Sequence, residues 1–451
     1  MTQPLWTAGD LRAATAGTLT VELTVSGIAI DSRAVQPGDL FVALRDARDG
    51  HDFVPDALAA GAACAMVDRA VPAAPLLLVT DTLAGLTALG AAGRARSQAR
   101  FAAITGSVGK TTTKDMLRTA LAACGPTHAA VASYNNHWGV PLTLARQPRG
   151  AAFGVIEIGM NHRGEIAPLA RLARPHVAVI TNIGTAHIGH LGSRAEIARE
   201  KADIFQGLEP GGIGLYPADS DFAALLRAAA GPRAQGFGEA PCDAQLLGYI
   251  GTADAGEATI RLHGETLQVA LGAPGRHLAL NACAALAAAV ALGAPPARAA
   301  AALAGFGAAA GRGARRVIAV PGGKALLLDD SYNASSASIR AALAVLAAQH
   351  AGRRLVVLGD MRELGEHGPA LHAELAADVA GTADLAFCCG PLMAHLFAAL
   401  PVDKQGGTAA DSTRLAPLVK AALRPGDAIL VKGSLGSRMA VIIRALTETT
   451  S

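Results

Sequence analysis

Aromatic residues are scarce in this chain, and the scarcity argues against one class of partner. Phenylalanine, tryptophan and tyrosine together make up 4% of the 451 residues. Proteins that bind single-stranded nucleic acid stack its bases on aromatic side chains, which this composition supports poorly. The formal net charge is only +3 and no block of basic residues occurs, so we expect no nucleic-acid partner.

Cysteine and long hydrophobic runs are also sparse. The six cysteines show neither a C-x-x-C pair nor the spacing of a zinc site, which indicates small buried thiols in a reducing compartment. The alanine-rich run Ala282–Ala294 is too short to span a membrane. Residues Met1–Ala16 lack the basic segment followed by an apolar segment that is typical of a secretory signal. These features predict a cytoplasmic protein without a membrane span.

What the chain does contain is a repeated alternation of apolar strands and helices, which predicts an α/β fold. Its length predicts about three domains. We expect a small N-terminal α/β domain over 1–82, a central doubly wound P-loop-type domain over 83–312 and a Rossmann-like α/β domain over 313–451. The stretch Gly305–Arg316, rich in glycine and arginine, is predicted to be the hinge before the last domain.

Hydrophobic periodicity places the individual elements. In the N-terminal domain it predicts strands at 40–44, 64–67 and 76–79 and helices at 54–60 and 82–95. In the central domain it predicts strands at 102–105, 155–158, 177–181 and 212–215, hairpin-like alternation over 242–274 and a long helix over 278–292. In the last domain it predicts strands at 325–328, 355–358, 383–388 and 428–431.

The most specific motif is a glycine loop between a strand and a helix. The segment Thr105-Gly-Ser-Val-Gly-Lys-Thr111 follows an apolar run and precedes a helix-like run, the arrangement that binds nucleotide phosphates. Glycines let backbone N–H groups approach phosphate oxygens, and a helix N-terminus adds partial positive charge. Lys110 can reach the β- and γ-phosphates and the Thr111 hydroxyl can bind Mg²⁺. The predicted phosphate-binding residues are Gly106, Ser107, Val108, Gly109, Lys110, Thr111 and Thr112.

Three polar residues farther along are candidates for the same site. Glu157 ends a strand, where P-loop enzymes commonly place an acid that holds Mg²⁺; an ordinary charged strand end is the alternative. His187 lies just beyond the end of another strand, and we favour a role at the site over a structural one. Lys201 lies on a helix among acidic residues, and its spacing alone favours an ordinary solvated lysine.

Two further polar segments allow two interpretations each. Asn135 and Asn136 could turn the backbone or touch a substrate, and we favour the substrate. Arg362, Glu363 and His367 could form a polar loop beside a substrate or only the first turn of a helix, and the sequence favours neither.

Seven segments of the chain resemble motifs of one family, the Mur ligases, which are the ATP-dependent peptide ligases of bacterial cell-wall precursor synthesis. Any one of them could arise by chance, but the seven occur in order along nearly the whole chain. They are residues 31–44 and 49–53 in the first domain, 135–144 and 157–166 in the second, and 329–334, 358–365 and 431–434 in the third.

The resemblance implies a reaction. It is greatest to the family member that adds D-alanyl-D-alanine to UDP-N-acetylmuramoyl-tripeptide with ATP and Mg²⁺, through an acyl phosphate, and it implies a monomer. A ligase that adds the third amino acid would be expected to carry an Asp-Asn-Pro-Arg motif, which this sequence lacks. Two rival functions stay open at this point: a folate polyglutamate ligase, and a nucleotide-binding module without ligase chemistry.

The resemblance also implies roles for single residues. Thr111 and Glu157 would hold one Mg²⁺. His187 would lie at a second Mg²⁺ site, supported by a carbamylated and therefore negatively charged Lys201. The residues implied to act in catalysis are Lys110, Glu157, His187 and Lys201. The remaining implied contacts are Asn281 at the adenine, Arg312 and Asp329 at the nucleotide, Ser32 and Arg33 at the uridine diphosphate, and Asn135 and Asn136 on the substrate side.

Overall fold

The computed structural model describes residues 4–131 and 133–448, and the N-terminal part of them forms a five-stranded sheet. The elements are β1 (Trp6–Thr7), α1 (Ala8–Thr15), β2 (Thr18–Leu19), β3 (Thr24–Val25), β4 (Gly27–Ala29), β5 (Asp39–Val42), α2 (Val54–Ala59), β6 (Cys64–Val67), β7 (Leu76–Leu78) and α3 (Thr82–Arg96). The sheet order is β2-β7-β6-β5-β4, with only β2 antiparallel to its neighbour. Every residue of β5 and β6 is buried, as expected for parallel strands covered on both faces.

The central part is a nine-stranded sheet that surrounds the glycine loop. Its strands are β8 (Arg100–Thr105), β9 (Thr127–Ala129), β10 (Phe153–Glu157), β11 (Val177–Ile180), β12 (Ile213–Pro217), β13 (Ala234–Gly238), β14 (Ala244–Gly251), β15 (Gly256–Leu262) and β16 (Glu265–Leu271). Its helices are α4 (Lys110–Ala122), α5 (Gly139–Ala145), α6 (Ile166–Ala173), α7 (Ile188–Leu191), α8 (Arg194–Ala202), α9 (Ala223–Ala230), α10 (Arg276–Ala291) and α11 (Pro296–Ala302). The order is β16-β15-β14-β13-β12-β11-β8-β10-β9, antiparallel only among β14, β15 and β16.

The register of this sheet decides what meets at the glycine loop. Strand β8, which leads into the loop, lies between β10 and β11 and is parallel to both. Glu157 at the end of β10 is paired with Ile104, and Ile180 at the end of β11 is paired with Thr105. Because the carboxyl ends of parallel strands meet at one edge, the segments after β10 and β11 lie beside the loop.

The C-terminal part is a second, six-stranded α/β layer. Its elements are β17 (Ala314–Val320), β18 (Gly323–Asp330), α12 (Ser336–Ala347), β19 (Arg353–Gly359), α13 (Gly368–Ala373), α14 (Ala376–Thr382), β20 (Leu385–Cys389), α15 (Met393–Ala399), β21 (Gln405–Ala409), α16 (Ser412–Ala422), β22 (Asp427–Lys432) and α17 (Ala440–Thr447). The order is β17-β18-β22-β19-β20-β21, parallel apart from the β17–β18 hairpin.

The three parts pack on one another through shared apolar clusters. Leu86 and Leu89 of α3 lie in one buried cluster with Leu142 of α5, which joins the N-terminal and central parts. Ile188 of α7 and Leu364, which follows β19, lie in another cluster that joins the central and C-terminal parts. Among the described residues no helix is long and apolar enough to cross a membrane.

The predicted α/β class and most predicted elements are confirmed, with three kinds of difference. The hinge predicted over Gly305–Arg316 is wrong at its end, because Ala314 already begins β17 and pairs with Asp329. Strands β1 to β4, β9, β13, β17 and β21 were not predicted; among them β9 has only three residues and β21 contains two glycines. The domain limits at 82/83 and 312/313 stay predictions; α3 begins at Thr82.

Candidate active site

A cleft of about 600 Å³ lies between the central and C-terminal parts. From the central part it is lined by the glycine loop, the segments that follow β10 and β11, and α10. From the C-terminal part it is lined by α12 and by the segments that follow β18, β19 and β22. Ligands of open α/β sheets bind at the carboxyl ends of parallel strands, and here two such sheet edges face each other.

The glycine loop has a backbone that favours glycine at two positions. Gly106 has φ of 151° and Gly109 has φ of 84°. A Cβ atom on Gly106 would lie 1.8 Å from Thr181 Oγ1, so the loop and the end of β11 are in direct contact. Helix α4 begins at Lys110 without a side-chain cap, which leaves its N-terminal N–H groups suited to a phosphate. Burial lowers the pKa of the Lys110 amine, whose Nζ donates to Gly106 O at 2.7 Å.

Two residues that the sequence analysis did not single out hold this loop in shape. The hydroxyl of Thr181 donates to Val108 O at 2.5 Å. The side-chain Oδ1 of Asn182 accepts from Val108 N at 2.9 Å, and the backbone carbonyl of Asn182 accepts from Ser107 N at 3.1 Å. Their position directly after a strand next to β8 is the signal that could have identified them.

Glu157 is a buried carboxylate with one oxygen bonded and one free. It is 1% exposed, and its Oε1 accepts a hydrogen bond from Asn135 Nδ2 at 2.8 Å. Its Oε2 has no hydrogen-bond partner among the described residues. A buried carboxylate oxygen without a donor is costly unless a cation binds it, so Glu157 fits a metal-binding role.

The oxygen ligands near Glu157 fit Mg²⁺ better than a metal ion that is coordinated entirely by protein side chains. The Thr111 hydroxyl, also lining the cleft, lies 3.4 Å from Ser133 Oγ. Within residues 4–131 and 133–448 no group of three or more histidine, cysteine, aspartate and glutamate side chains could hold a metal ion. Mg²⁺ typically keeps several waters and uses one or two carboxylates together with phosphate oxygens.

Lys201 is fully buried, so the solvated lysine favoured by spacing alone is wrong. Its exposure is 0%, and Nζ has no hydrogen-bond partner in the described part of the chain. Burial, reinforced by the charge of Lys110, holds the pKa of this amine well below its usual value. In α8 Ile197, Ala198 and Lys201 are all buried, so Lys201 belongs to the inner face of this short helix.

His187 meets a glutamate of the C-terminal part. Its backbone is left-handed, with φ of 67°, and Nδ1 lies 2.5 Å from Glu363 Oε2. The contact with His187 lowers the pKa of the Glu363 carboxyl. Arg362 and Glu363 line the cleft, whereas His367 lies in a 3₁₀ turn outside it. Arg362 and Glu363 are therefore placed where a loop beside a substrate would lie, and their contact with a substrate stays a prediction, whereas His367 belongs to the turn before α13.

Asn281 and Arg312 both line the cleft, and Asn281 lies beside the glycine loop. Asn281 on α10 faces the glycine loop, since a Cβ atom on Gly109 would lie 2.8 Å from Asn281 Oδ1. The guanidinium of Arg312 donates to Ser133 Oγ at 2.9 Å and lies 4.0 Å from the centre of the Tyr332 ring. Both residues line the cleft, which supports the predicted contacts without testing them.

Asp329 does not line the cleft, whereas the next residue does. Asp329 is buried and accepts from Ser331 Oγ at 2.6 Å. Asp330 lines the cleft and accepts from Lys432 Nζ at 2.6 Å. Neighbouring side chains of a strand point to opposite faces, which is why β18 separates these two carboxylates. A nucleotide contact of Asp329 stays a prediction.

The predicted substrate contacts are divided between two places. Asn135 and Asn136 line the cleft, where Asn136 Oδ1 also accepts from Gly139 N at 3.0 Å and so turns the backbone into α5. Ser32 and Arg33 lie in the N-terminal part, outside the residues that line the cleft, and Arg33 Nη2 donates to Asp31 Oδ2 at 2.6 Å. The substrate roles of these residues stay predictions.

Comparison with known proteins identifies the family. Three family models match the chain: "Mur ligase family, catalytic domain" at residues 24–84, "Mur ligase middle domain" at 104–289 and "Mur ligase, glutamate ligase domain" at 315–435. A curated protein of Escherichia coli (strain K12), named UDP-N-acetylmuramoyl-tripeptide--D-alanyl-D-alanine ligase, is 37% identical over 436 residues and 95% of each chain. The chain belongs to the Mur ligase family.

Solved structures extend the similarity to the arrangement of all three parts of this Mur ligase. MurF from Acinetobacter baumannii has a TM-score of 0.87 at 32% identity, covering 99% of this chain and 100% of that one. MurF ligase from Thermotoga maritima in complex with ADP has a TM-score of 0.79 at 26% identity, covering 93% of this chain and 96% of that one. The resemblance read from the seven segments is therefore confirmed.

Proposed function

We propose that this Mur ligase joins D-alanyl-D-alanine to UDP-N-acetylmuramoyl-tripeptide with ATP, giving the pentapeptide precursor of peptidoglycan, ADP and phosphate. One observation carries the proposal. The chain matches a curated enzyme of that name over 95% of both lengths, so the similarity includes all three parts and not only the nucleotide-binding one. The lack of an Asp-Asn-Pro-Arg motif supports this choice over the ligase that adds the third amino acid.

The chemical problem is that a carboxylate is a poor acyl donor, because its leaving group would be oxide. Phosphorylation of the tripeptide carboxylate by ATP gives an acyl phosphate, from which the amine of the dipeptide displaces phosphate. This demands positioning and neutralisation of charge. Lys110, the glycine loop and the N-terminus of α4 supply positive charge and N–H donors at the cleft.

Residues of this cleft fit Mg²⁺, and when bound Mg²⁺ neutralises phosphate oxygens and aligns them with the carboxylate. Thr111 and Glu157 would hold one ion. His187, which lines the cleft, and Lys201, which is buried and does not line it, would serve a second. The free Oε2 of Glu157 supports the first assignment, since nothing else in the described residues satisfies that atom. Glu157 therefore acts as an anchor for a cation, and Asn135 orients it.

Lys201 can serve the second Mg²⁺ site only if its side chain carries a negative charge in place of its usual positive one. An ammonium group would repel a metal ion, but burial favours the neutral amine, which can attack carbon dioxide. A nitrogen–carbon bond forms, the amine gives up one proton, and the product is a carbamate that carries a negative charge. The Nζ atom, buried and without a partner among the described residues, supports a site built for such a modification.

The three parts divide the work. The N-terminal part, with Ser32 and Arg33, binds the uridine diphosphate, the central part binds ATP, and the C-terminal part closes the cleft with the dipeptide. Closure excludes water, which would otherwise hydrolyse the acyl phosphate. One chain carries every predicted group, which is consistent with a monomer, and the proposed place of action is the cytoplasm, where ATP is available.

Phosphate release by the purified protein tests the proposal. It is measured with ATP, Mg²⁺, UDP-N-acetylmuramoyl-tripeptide and D-alanyl-D-alanine, omitting each in turn, and the product is identified by mass. Release that needs all four components, with a pentapeptide product, is the expected result. Release with a shorter acceptor and a single amino acid would assign the chain to another Mur ligase. No release in any combination would overturn ligase activity and favour a nucleotide-binding module.

A further inference from the structure

The contact between His187 and Glu363 joins two parts of the chain at the wall of the cleft. His187 follows β11 in the central sheet, and Glu363 follows β19 in the C-terminal sheet. Nδ1 of the histidine lies 2.5 Å from Oε2 of the glutamate. The N–H direction is not aligned for a full hydrogen bond, but two polar atoms this close must share a proton or carry opposite charges.

Both residues have an unusual backbone. His187 has φ of 67° and Glu363 has φ of 65°, so each non-glycine residue lies in the left-handed region. Residues other than glycine seldom adopt this conformation, and it persists where the surrounding structure enforces it. Two strained residues that face each other across a domain boundary indicate a built contact and not a chance approach of two surface side chains.

The backbones beside these side chains are also in contact. Gly189 N donates to Glu363 O at 3.0 Å, and a Cβ atom on Gly189 would lie 2.5 Å from Gly365 N. The hydrogen bond fixes the position of α7 relative to the segment that follows β19. The absence of a side chain at Gly189 allows the two backbones to come this close. The geometry of the side-chain contact is therefore set by docking of the C-terminal part.

We infer that Glu363 is a positioning residue for His187. Its carboxylate holds Nδ1 of the imidazole, which leaves Nε2 as the ring nitrogen available in the cleft, and it can do so only while the C-terminal part is docked. Metal-binding histidines commonly donate their other ring N–H to a carboxylate, which fixes the tautomer and the ring orientation. A site completed by both parts would make metal binding depend on closure.

The part of this inference that concerns metal binding rests on the proposed function. The part that concerns the contact between His187 and Glu363 does not. The first readout is therefore the tautomer of His187 in the protein without ligands, measured by NMR on protein labelled with ¹⁵N-histidine. The His187 signals are assigned by their loss in His187→Gln. The second readout is the affinity of Mn²⁺ for the protein in the presence of ADP, measured by electron paramagnetic resonance.

Four variants separate positioning from general damage. Glu363→Ala removes the acceptor, and Glu363→Gln keeps an oxygen for Nδ1–H. Gly189→Ala pushes the loops apart without changing either side chain. Glu366→Ala is the matched control, because Glu366 is an exposed glutamate of the same segment that does not line the cleft. Circular dichroism checks that each variant is folded.

The expected result is a His187 protonated on Nδ1 in the wild type, in Glu363→Gln and in Glu366→Ala. In Glu363→Ala and Gly189→Ala the proton moves towards Nε2, and Mn²⁺ binds about 10-fold more weakly or worse. An unchanged tautomer in a folded Glu363→Ala, or unchanged Mn²⁺ affinity, would overturn the inference. A protein that shows these tautomers but no ligation would overturn the proposed function and leave the His187–Glu363 contact established.

Discussion

Asn135 and Glu157 are bonded to each other at the base of the cleft, where Asn135 Nδ2 donates to Glu157 Oε1 at 2.8 Å. The bond is specific to one oxygen, and Oε2 is left without a partner in the described residues. A second bond, from Gly159 N to Asn135 O at 2.7 Å, ties the same two segments together. The asparagine thus holds a buried carboxylate in one orientation with its other oxygen free.

Replacing Glu157 by glutamine tests whether the free oxygen binds a cation. Glu157→Gln keeps the shape and an acceptor for Asn135, but it removes the charge. We expect ATP turnover to fall by about 100-fold or more, since even indirect partners of a metal cost about 10- to 100-fold. The free energy of unfolding should not decrease, because the substitution removes a buried negative charge whose Oε2 has no hydrogen-bond donor among the described residues.

Phosphate release over a range of Mg²⁺ concentrations, together with urea unfolding, measures both effects. Glu257→Gln is the control, because Glu257 is an exposed residue of β15 outside the cleft. A Glu157→Gln protein with wild-type turnover and wild-type Mg²⁺ dependence would contradict the metal-binding role.

Replacing buried lysines by methionine separates a functional amine from a structural one. Lys201→Met should abolish ligation and stabilise the fold by about 1–3 kcal/mol, because a buried amine with no partner among the described residues is removed. Lys114→Met is a matched comparison, since Lys114 is 1% exposed but its Nζ donates to Ala130 O at 3.0 Å. That variant should be less stable than the wild type. We would measure the stability of both variants by thermal unfolding. We would measure ligase activity with and without bicarbonate, and the mass of the intact protein. A Lys201→Met protein less stable than the wild type would contradict the reasoning.

A methyl group at Gly106 should disrupt the phosphate-binding loop. In Gly106→Ala the added Cβ would meet Thr181 Oγ1, so the loop must move away from β11. We expect loss of measurable ATP binding by calorimetry. Gly264→Ala supplies the control for backbone strain alone, because Gly264 has φ of 90° but no atom within 4 Å of the added Cβ. It should lose about 1–2 kcal/mol of stability and keep ATP affinity. Equal ATP affinity in both variants would show that the contact with Thr181 is unimportant.

The stability of the protein should fall between neutral and mildly acidic pH, in part because of His277. Burial, followed by the charge of Lys432, lowers the pKa of His277 to about 4 from an unfolded value of 6.5. Between these values the unfolded chain binds a proton that the folded chain does not, so the free energy of unfolding decreases as the pH falls. The full difference, on the order of 3–4 kcal/mol, is reached below about pH 4.

Urea unfolding of the wild type and of His277→Gln at several pH values between about 7 and 4.5 checks this. The variant lacks the titrating ring, so its stability should fall less steeply, and the gap between the two curves should change across this window. Parallel curves would exclude a contribution from His277. Because only the difference between the two proteins is used, other histidines that titrate in the same range cancel.

The local sequence was sufficient for the glycine loop and for most strands. The glycine loop could be predicted because the backbone at Gly106 and Gly109 favours glycine. The strand before it and the helix after it could be predicted from their own hydrophobic patterns. Buried strands such as β6 and β11 are unbroken apolar runs, which a sheet covered on both faces requires. The order of the seven family motifs predicted the family for the same reason, since each motif is local.

Tertiary structure alone decided the burial of Lys201, the pairing of Asn135 with Glu157 and the contact of His187 with Glu363. In a helix as short as α8 the spacing of polar residues does not show which face is buried, because neighbouring elements determine that. The first side-chain contact joins a loop residue to the end of β10, and the second joins segments that follow strands of different sheets. Sequence patterns report neighbours within one element, whereas these contacts depend on how strand order and domain docking bring separate loops together.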